Sequence, residues 1–142
     1  MIDVGDKKIV PRKAVAEGEM VLKSETIEEI RQGTVKKGDV LTVARTAGLN
    51  AVKQTSILIP MCHPIPITFA GVDLDVREEK IICRCEVRAD YKTGVEMEAL
   101  MGVSTALLTV WDMVKYLEKD EKGQYPHTRI TNIIVISKEK GE

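Results

Sequence analysis

The sequence predicts an α+β fold in which an antiparallel sheet carries helices on one face. Residues 81–89 alternate apolar with charged side chains, which is typical of a strand with one buried face. Residues 94–119 place apolar side chains three and four residues apart with no intervening proline, which is typical of a long helix. Residues 133–136 are all apolar and predict a final strand that is covered on both faces.

The composition is that of one globular domain. The 142 residues, 44% hydrophobic and 30% charged, can form a substantial core. A formal net charge of −1 offers no broad basic surface for nucleic acid. No apolar run reaches the roughly 20 residues of a membrane span, and the N-terminus does not resemble a signal peptide. We therefore expect a cytoplasmic protein with a single domain over 1–142, whose ends at 1–13 and 139–142 are mobile.

The first half of the chain predicts one strand and two helices. The strand covers 14–22. Ser24 is a good N-cap for a short helix over 25–32, which ends at Gly33. Asp39 can cap a second helical segment over 40–59, which Gly48 and Asn50 divide and Pro60 ends.

The second half adds two strands, the long helix and the last strand. The apolar pattern changes phase within 67–76, which predicts a β-bulge near Ala70-Gly71 before the hairpin to 81–89. The last strand covers 129–137. The order strand, helices, strand, strand, helix, strand predicts the βαββαβ unit of ferredoxin-like folds. The second face of the sheet then needs cover, and the apolar last strand indicates that another copy of the chain supplies it.

The long helix carries charged residues at both ends of its apolar stripe. The residues predicted to form the buried stripe are Met97, Leu100, Met101, Ser104, Leu107, Leu108, Trp111 and Val114. Glu96 and Glu98 lie in the first turn, and Asp112 and Lys115 lie near the end. Glu98 and Asp112 are separated by about 21 Å along the helix axis, so they cannot contact one atom within a single chain. If both act on a ligand, either the ligand is long or two chains build the site.

Two lysine-containing groups have both a structural and a functional interpretation. Asp112 and Lys115 can form a simple i,i+3 ion pair, or the carboxylate can hold an amine beside a ligand. Lys37 can lie in a solvated loop before the helix capped by Asp39, or it can reach an anion bound at that helix N-terminus. The sequence alone leaves these alternatives open.

Two further groups are ambiguous in the same way. Cys62 and His63 lie in a proline-rich loop, where His63 is a candidate for proton transfer or substrate hydrogen bonding. Together they are two ligands short of a structural zinc site. Glu96 and Glu98 either compensate the helix dipole or contact substrate. The other two cysteines, in the strand over 81–89, are expected to be buried small hydrophobes.

Four segments of the chain form a recognisable set: Lys37-Gly38-Asp39-Val40, Ile59-Pro60-Met61-Cys62-His63-Pro64, Thr93-Gly94-Val95-Glu96-Met97-Glu98-Ala99-Leu100 and Trp111-Asp112-Met113-Val114-Lys115. In this order and spacing they closely resemble the cyclic pyranopterin monophosphate synthase family, the C proteins of molybdenum cofactor biosynthesis. The resemblance covers essentially the whole chain.

The resemblance implies a hexamer, a trimer of dimers, with active sites at the dimer interface. It also implies a lyase reaction, in which 3′,8-cyclised dihydro-GTP, made by a radical partner enzyme, becomes cyclic pyranopterin monophosphate with loss of pyrophosphate. This chemistry needs proton transfers and a cradle for a triphosphate. No cofactor and no metal cage is evident, although a triphosphate can bring its own Mg²⁺.

The resemblance also assigns roles to individual residues. Asp112 matches the catalytic aspartate, Lys115 its neighbouring lysine, and Lys37 a lysine of acid–base chemistry that comes from the other subunit's side. The matching substrate-contacting residues are Met61, Cys62, His63, Glu96, Met97 and Glu98, with Arg12 and Lys138 as phosphate contacts.

The C-terminus departs from the family pattern. Relatives often end in Lys-Ser-Gly-Gly-Lys, whereas this chain has Ser137-Lys138-Glu139-Lys140-Gly141.

The sequence leaves two other functional hypotheses open. One is a non-catalytic ferredoxin-like module that binds a nucleotide or anion for regulation. The other is a structural oligomerisation domain, which would leave Asp112, Lys115, Lys37 and His63 without a shared purpose.

Overall fold

The computed structural model describes residues 1–142 and contains four strands and four helices. Their order is β1 (Val10–Val21), α1 (Ser24–Gln32), α2 (Val40–Lys53), α3 (Thr55–Leu58), β2 (Ile67–Val76), β3 (Lys80–Tyr91), α4 (Glu96–Glu118) and β4 (Arg129–Lys140). All strand pairs are antiparallel, in the spatial order β2-β3-β1-β4. The first and third strands are therefore central and the other two form the edges, which confirms the predicted α+β, ferredoxin-like class.

The core lies between one face of the sheet and the helices α2 and α4. Alternate residues of β3 point into it, namely Ile81, Cys83, Cys85, Val87 and Ala89. Burial raises the pKa of the Cys83 and Cys85 thiols to about 12 in each case. Both cysteines are therefore neutral, small core side chains, as the sequence predicted.

The opposite face of the two central strands is charged. Lys80 pairs with Glu19 at 2.6 Å, and Arg84 pairs with Glu17 at 2.9 Å, in both cases between β3 and β1. Each such surface ion pair adds little to the stability of the fold. The charged side chains nevertheless keep that face compatible with water. On β1 and β3 this face is charged rather than apolar, and its predicted cover by another copy of the chain stays a prediction.

Within the sheet, most of the exposed large apolar side chains lie on the edge strand β4. Its four consecutive residues Ile133 to Ile136 are all exposed, and Ile134 is 53% exposed. An edge strand with unpaired backbone groups and exposed apolar side chains is a surface that proteins usually cover. Residues 12–13 and 139–140, which the sequence placed in mobile ends, pair with one another in β1 and β4, and residues 10–11 pair with β3.

The buried side of α4 differs from the predicted stripe. Its buried apolar residues are Ala99, Gly102, Val103, Ala106, Leu107, Val110, Met113 and Val114. Two residues of the predicted stripe, Met97 and Leu108, are exposed, and Leu108 is 59% exposed. The helix lies too close to the sheet for large side chains: a Cβ on Gly102 would lie 2.5 Å from Cys85 Sγ. Small residues therefore face the core, and several large ones face outward.

Length and composition alone would let α4 cross a membrane. Half of its most apolar window is buried inside the domain, as in the core helix of a globular protein.

Several local boundaries also differ from the sequence predictions. Lys23, rather than Ser24, occupies the N-cap of α1, and its N–H donates to the Glu118 carboxylate at 3.2 Å. The helical segment after Asp39 breaks at Gln54 rather than at Gly48 and Asn50. The bulge in β2 lies between Ile67 and Phe69, ahead of the predicted position. The prediction that Asp39 caps α2 is confirmed, since its carboxylate accepts the Thr42 N–H at 3.2 Å.

Candidate active site

The helix α4 carries a different group of candidate residues at each end. Glu96 and Glu98 lie in its first turn and face a cavity. Asp112 and Lys115 lie in its second half, where the loop between α1 and α2 approaches it. With a rise of 1.5 Å per residue, the two groups are about 21 Å apart along the axis.

At the C-terminal end, Asp112 joins two lysines. Lys37 Nζ donates to the Asp112 carbonyl oxygen at 3.0 Å and to its carboxylate Oδ2 at 3.2 Å. Lys115 Nζ lies 3.3 Å from the other carboxylate oxygen, Oδ1. All three side chains are roughly half exposed, so solvent and ligands can reach them. One carboxylate therefore holds two ammonium groups at an open surface, and the simple i,i+3 ion pair is only part of the arrangement.

The backbone before α2 delivers Lys37 to this position. The Gly38 N–H donates to the Val35 carbonyl at 3.1 Å, which closes a tight turn with Lys36 and Lys37 at its centre. Gly38 has a φ of 113°, a conformation that residues with a side chain rarely adopt. Gly38 therefore allows the sharp turn that places Lys37 beside α4 just before α2 begins.

The two ammonium groups determine the charge state of Asp112. The hydrogen bond from Lys37 lowers the pKa of the Asp112 carboxyl below its ordinary value, and the hydrogen bond from Lys115 lowers it further. Asp112 is therefore ionised throughout the neutral range and is not itself a proton donor there. Its chemical contribution is to hold and orient the two cationic groups.

At the N-terminal end of α4, an open cavity of about 730 Å³ gathers the second group. It contains all six residues that the sequence proposed as substrate contacts: Met61, Cys62, His63, Glu96, Met97 and Glu98. The loop after α3 supplies the first three and the start of α4 supplies the others. The structure thus brings together two segments that are more than thirty positions apart in the sequence.

Burial raises the pKa of one carboxyl group and of the one thiol in this cavity. Burial raises the pKa of Glu98, and the neighbouring charge of Glu96 raises it further. Burial also raises the pKa of the Cys62 thiol, with added contributions from the charges of Glu98 and Glu96. Cys62 is therefore a thiol rather than a reactive thiolate. Glu98 keeps its proton to a higher pH than an ordinary glutamate and can donate it to a ligand.

Two other polar groups of the cavity already have partners within the chain. His63 Nε2 lies 2.7 Å from the carbonyl oxygen of Ile2, so an N-terminal peptide group occupies that ring nitrogen. Glu96 Oε1 pairs with Lys138 Nζ at 3.3 Å, which brings β4 to the start of α4. Glu96 Oε2 is buried without a hydrogen-bond partner, so a donor on a bound ligand would satisfy it.

Arg12 lies outside both groups. Its side chain is buried in the sheet, and its guanidinium donates to the carbonyl oxygens of Tyr91 at 3.4 Å and Lys92 at 3.2 Å. These bonds fix the chain just before the loop that leads into α4. Arg12 and Lys138 are therefore both engaged within the chain, and their proposed contacts with phosphate stay predictions.

Lys37 contacts Asp112 of its own chain. The family resemblance did not imply this contact, and the approach of Lys37 from the other subunit's side stays a prediction. Four residues at the N-terminus also line the cavity, although no sequence pattern predicted them: Met1, Ile2, Val4 and Lys7. The segment contains two local turns, closed by the Gly5 N–H on the Asp3 carboxylate and by the Lys7 N–H on the Val4 carbonyl, and neither reveals where the segment docks.

Comparisons with known proteins agree along the whole chain. The MoaC family model matches residues 1–141. A Thermococcus kodakarensis protein named "Probable cyclic pyranopterin monophosphate synthase" is 59% identical over 142 residues, which cover 100% of this chain and 91% of that protein. A Methanosarcina mazei protein of the same name is 58% identical, with coverages of 100% and 90%. A Methanothermobacter thermautotrophicus protein, 54% identical with coverages of 100% and 89%, is named "Probable cyclic pyranopterin monophosphate synthase accessory protein".

Proposed function

The chain belongs to the MoaC family, and we propose that it is a cyclic pyranopterin monophosphate synthase, a lyase of molybdenum cofactor biosynthesis. It converts 3′,8-cyclised dihydro-GTP to cyclic pyranopterin monophosphate and releases pyrophosphate. The observation that carries this proposal is the family match over residues 1–141. That match favours the enzyme over a regulatory anion-binding module.

We propose that Lys37, Asp112 and Lys115 form the catalytic group. Two ammonium groups beside one ionised carboxylate suit a substrate that carries a triphosphate and loses pyrophosphate, because they can bind phosphate oxygens and deliver protons. Asp112 keeps the two lysines close together despite their like charge.

The cavity residues are proposed to bind the ring system of the substrate. Glu98 can donate a proton because burial raises its pKa, and the unpaired Glu96 Oε2 can accept an N–H. His63 can join them once Ile2 releases its ring nitrogen. Met61, Cys62 and Met97 supply apolar and thiol surface, and Arg12 and Lys138 are proposed to contact phosphate after changing partners.

We propose that a complete site combines the catalytic group of one chain with the cavity of another. The two groups of one chain are about 21 Å apart, so a single reacting centre cannot touch both. Exposed apolar residues on α4 and β4, including Leu108 and Ile134, offer surface for such an assembly. The expected form is a cytoplasmic hexamer, built as a trimer of dimers. Light scattering would measure the mass of this assembly.

The catalytic assignment is tested by pyrophosphate release from the cyclised nucleotide. We expect Asp112→Asn and Lys37→Ala each to lower kcat by about a hundredfold or more, since the first removes the charge that orients both lysines and the second removes a proton-transferring amine. Lys119→Ala is the matched control, because it removes an exposed positive charge just beyond the same helix. Equal rates for the two variants and the control would refute the assignment. Saturable substrate binding without any product would identify the regulatory module instead.

Mixed oligomers test whether the site is shared. Inactive Asp112→Asn and Glu98→Gln chains, once equal amounts have exchanged subunits, should regain about a quarter of the wild-type activity, because about a quarter of the sites then combine an intact catalytic group with an intact cavity. Lys37→Ala and Asp112→Asn chains should regain none, because both residues belong to one group. Recovery in the second mixture would contradict the arrangement.

A further inference from the structure

A second contact holds the Lys37 turn to α4. Tyr116 lies one helical turn beyond Asp112, and its hydroxyl oxygen accepts the Lys36 N–H at 2.8 Å. The Lys36 ammonium lies 5.4 Å from the centre of the Tyr116 ring, a cation–π distance. The ring is partly buried and packs against the core. Successive residues of the turn therefore contact successive turns of the helix.

The geometry of the turn explains why this contact is available. Within the Val35–Gly38 turn, the Gly38 N–H bonds the Val35 carbonyl, whereas the N–H of the second residue, Lys36, has no partner inside the turn. Tyr116 supplies that partner. Other anchors are few, because Val35, 6% exposed, is the only buried residue between Gly33 and Asp39.

We propose that Tyr116 is a positioning residue, whose hydroxyl fixes the Lys36 peptide so that the adjacent Lys37 ammonium reaches Asp112. A lysine side chain has many rotamers, and fixing the position of its backbone limits the positions that its ammonium group can reach. The positioning of Lys37 is inferred from the Lys36–Tyr116 and Lys37–Asp112 hydrogen bonds. The expected effect of this positioning on turnover rests on the proposed function.

The inference is tested with Tyr116→Phe, which keeps the ring, its packing and the cation–π contact but removes the acceptor. Loss of one net hydrogen bond lowers the population of the Lys37–Asp112 contact by up to about tenfold. We expect kcat to fall by a similar factor with little change in KM. Because Lys37 is the main cause of the lowered Asp112 pKa, and Lys115 is the other charged group facing it, that pKa should rise toward the ordinary aspartate value.

The direct readout is the pKa of Asp112, followed by NMR of protein with ¹³C in the aspartate carboxyl groups and assigned with Asp112→Asn. Tyr125→Phe is the matched control, because its hydroxyl makes no hydrogen bond while its ring contacts Trp111. An Asp112 pKa that rises in Tyr116→Phe and not in Tyr125→Phe supports the inference. An unchanged Asp112 pKa overturns it, even if kcat falls. A raised pKa with unchanged kcat upholds the positioning and refutes the catalytic role of the pair.

A second pair of variants removes the donor rather than the acceptor. Lys36→Pro deletes the N–H at a turn position where proline is favoured, whereas Lys36→Ala keeps the N–H and deletes the ammonium. We expect Lys36→Pro to raise the Asp112 pKa as Tyr116→Phe does, and Lys36→Ala to leave it close to wild type. Equal pKa values in the two variants would overturn the inference.

Discussion

Replacing Gly102 by alanine tests how closely α4 must approach the sheet to hold both candidate groups in place. The added methyl carbon would lie 2.5 Å from Cys85 Sγ and 3.0 Å from Val52 Cγ2. Both neighbours are fully buried core residues with little space to move. The methyl group therefore pushes the middle of α4 away from β3 and α2.

Two opposing effects set the expected magnitude. Overpacking a core by one methyl group costs about 1–3 kcal/mol, and contacts this short favour the upper part of that range. Alanine gains about 1 kcal/mol over glycine in helix propensity. The net destabilisation should therefore be about 1–2 kcal/mol, which for a domain of this size lowers Tm by about 2–8 °C.

The assay is thermal unfolding at one fixed protein concentration, because assembly would make Tm concentration-dependent. Adding Cys85→Ala removes the sulphur atom and should restore part of the loss, so that the double variant is more stable than the sum of the two single effects predicts. A Tm for Gly102→Ala equal to or above wild type would show that helix propensity outweighs the clash. It would refute the close-packing argument.

Two further predictions concern buried carboxyl groups. Burial raises the pKa of Glu98 above its ordinary 4.5, so the wild type loses stability as the pH rises from about 4.5 through the raised folded pKa. The Tm of Glu98→Gln relative to wild type should therefore be higher at about pH 8 than at about pH 4, and a pH-independent difference would contradict this. The buried Glu118 carboxylate accepts hydrogen bonds from Thr26 Oγ1, from Thr128 Oγ1 at 2.6 Å and from the Lys23 N–H at 3.2 Å. Glu118→Ala should cost about 3 kcal/mol or more by leaving these donors unpaired, whereas exposed Glu121→Ala should not, and equal Tm values would rule this out.

The long helix shows how far sequence periodicity can be trusted. Its existence and approximate extent were predictable, because no proline or long polar run interrupts 94–119. The buried face was not, because α4 is apolar around most of its circumference. The larger residues Met97 and Leu108 gave the clearer periodic signal, yet the closeness of the sheet selects Gly102 and Ala106 for the core. Periodicity cannot measure that interlayer distance.

The candidate site divides in the same way. Motif resemblance named Lys37, Asp112 and Lys115 individually, and helix geometry separated Asp112 from Glu98. Neither could show that Lys37 contacts Asp112 within one chain, because that contact depends on how the α1–α2 loop folds against α4. Tyr116 belongs to no motif, and only its hydrogen bond to the loop indicates the positioning role proposed for it.

The sequence by itself determined the order of elements, the fold class and the residue types available for chemistry, since these depend on local periodicity and on segments that can be read in order. The tertiary structure alone decided which side chains meet. It joined Lys37 to Asp112 across 75 residues, gathered the loop after α3 and the start of α4 around one cavity, and left β4 apolar at an edge. Contacts between distant segments depend on interlayer spacing and on backbone turns such as the one at Gly38, and neither is encoded in any single stretch of the chain.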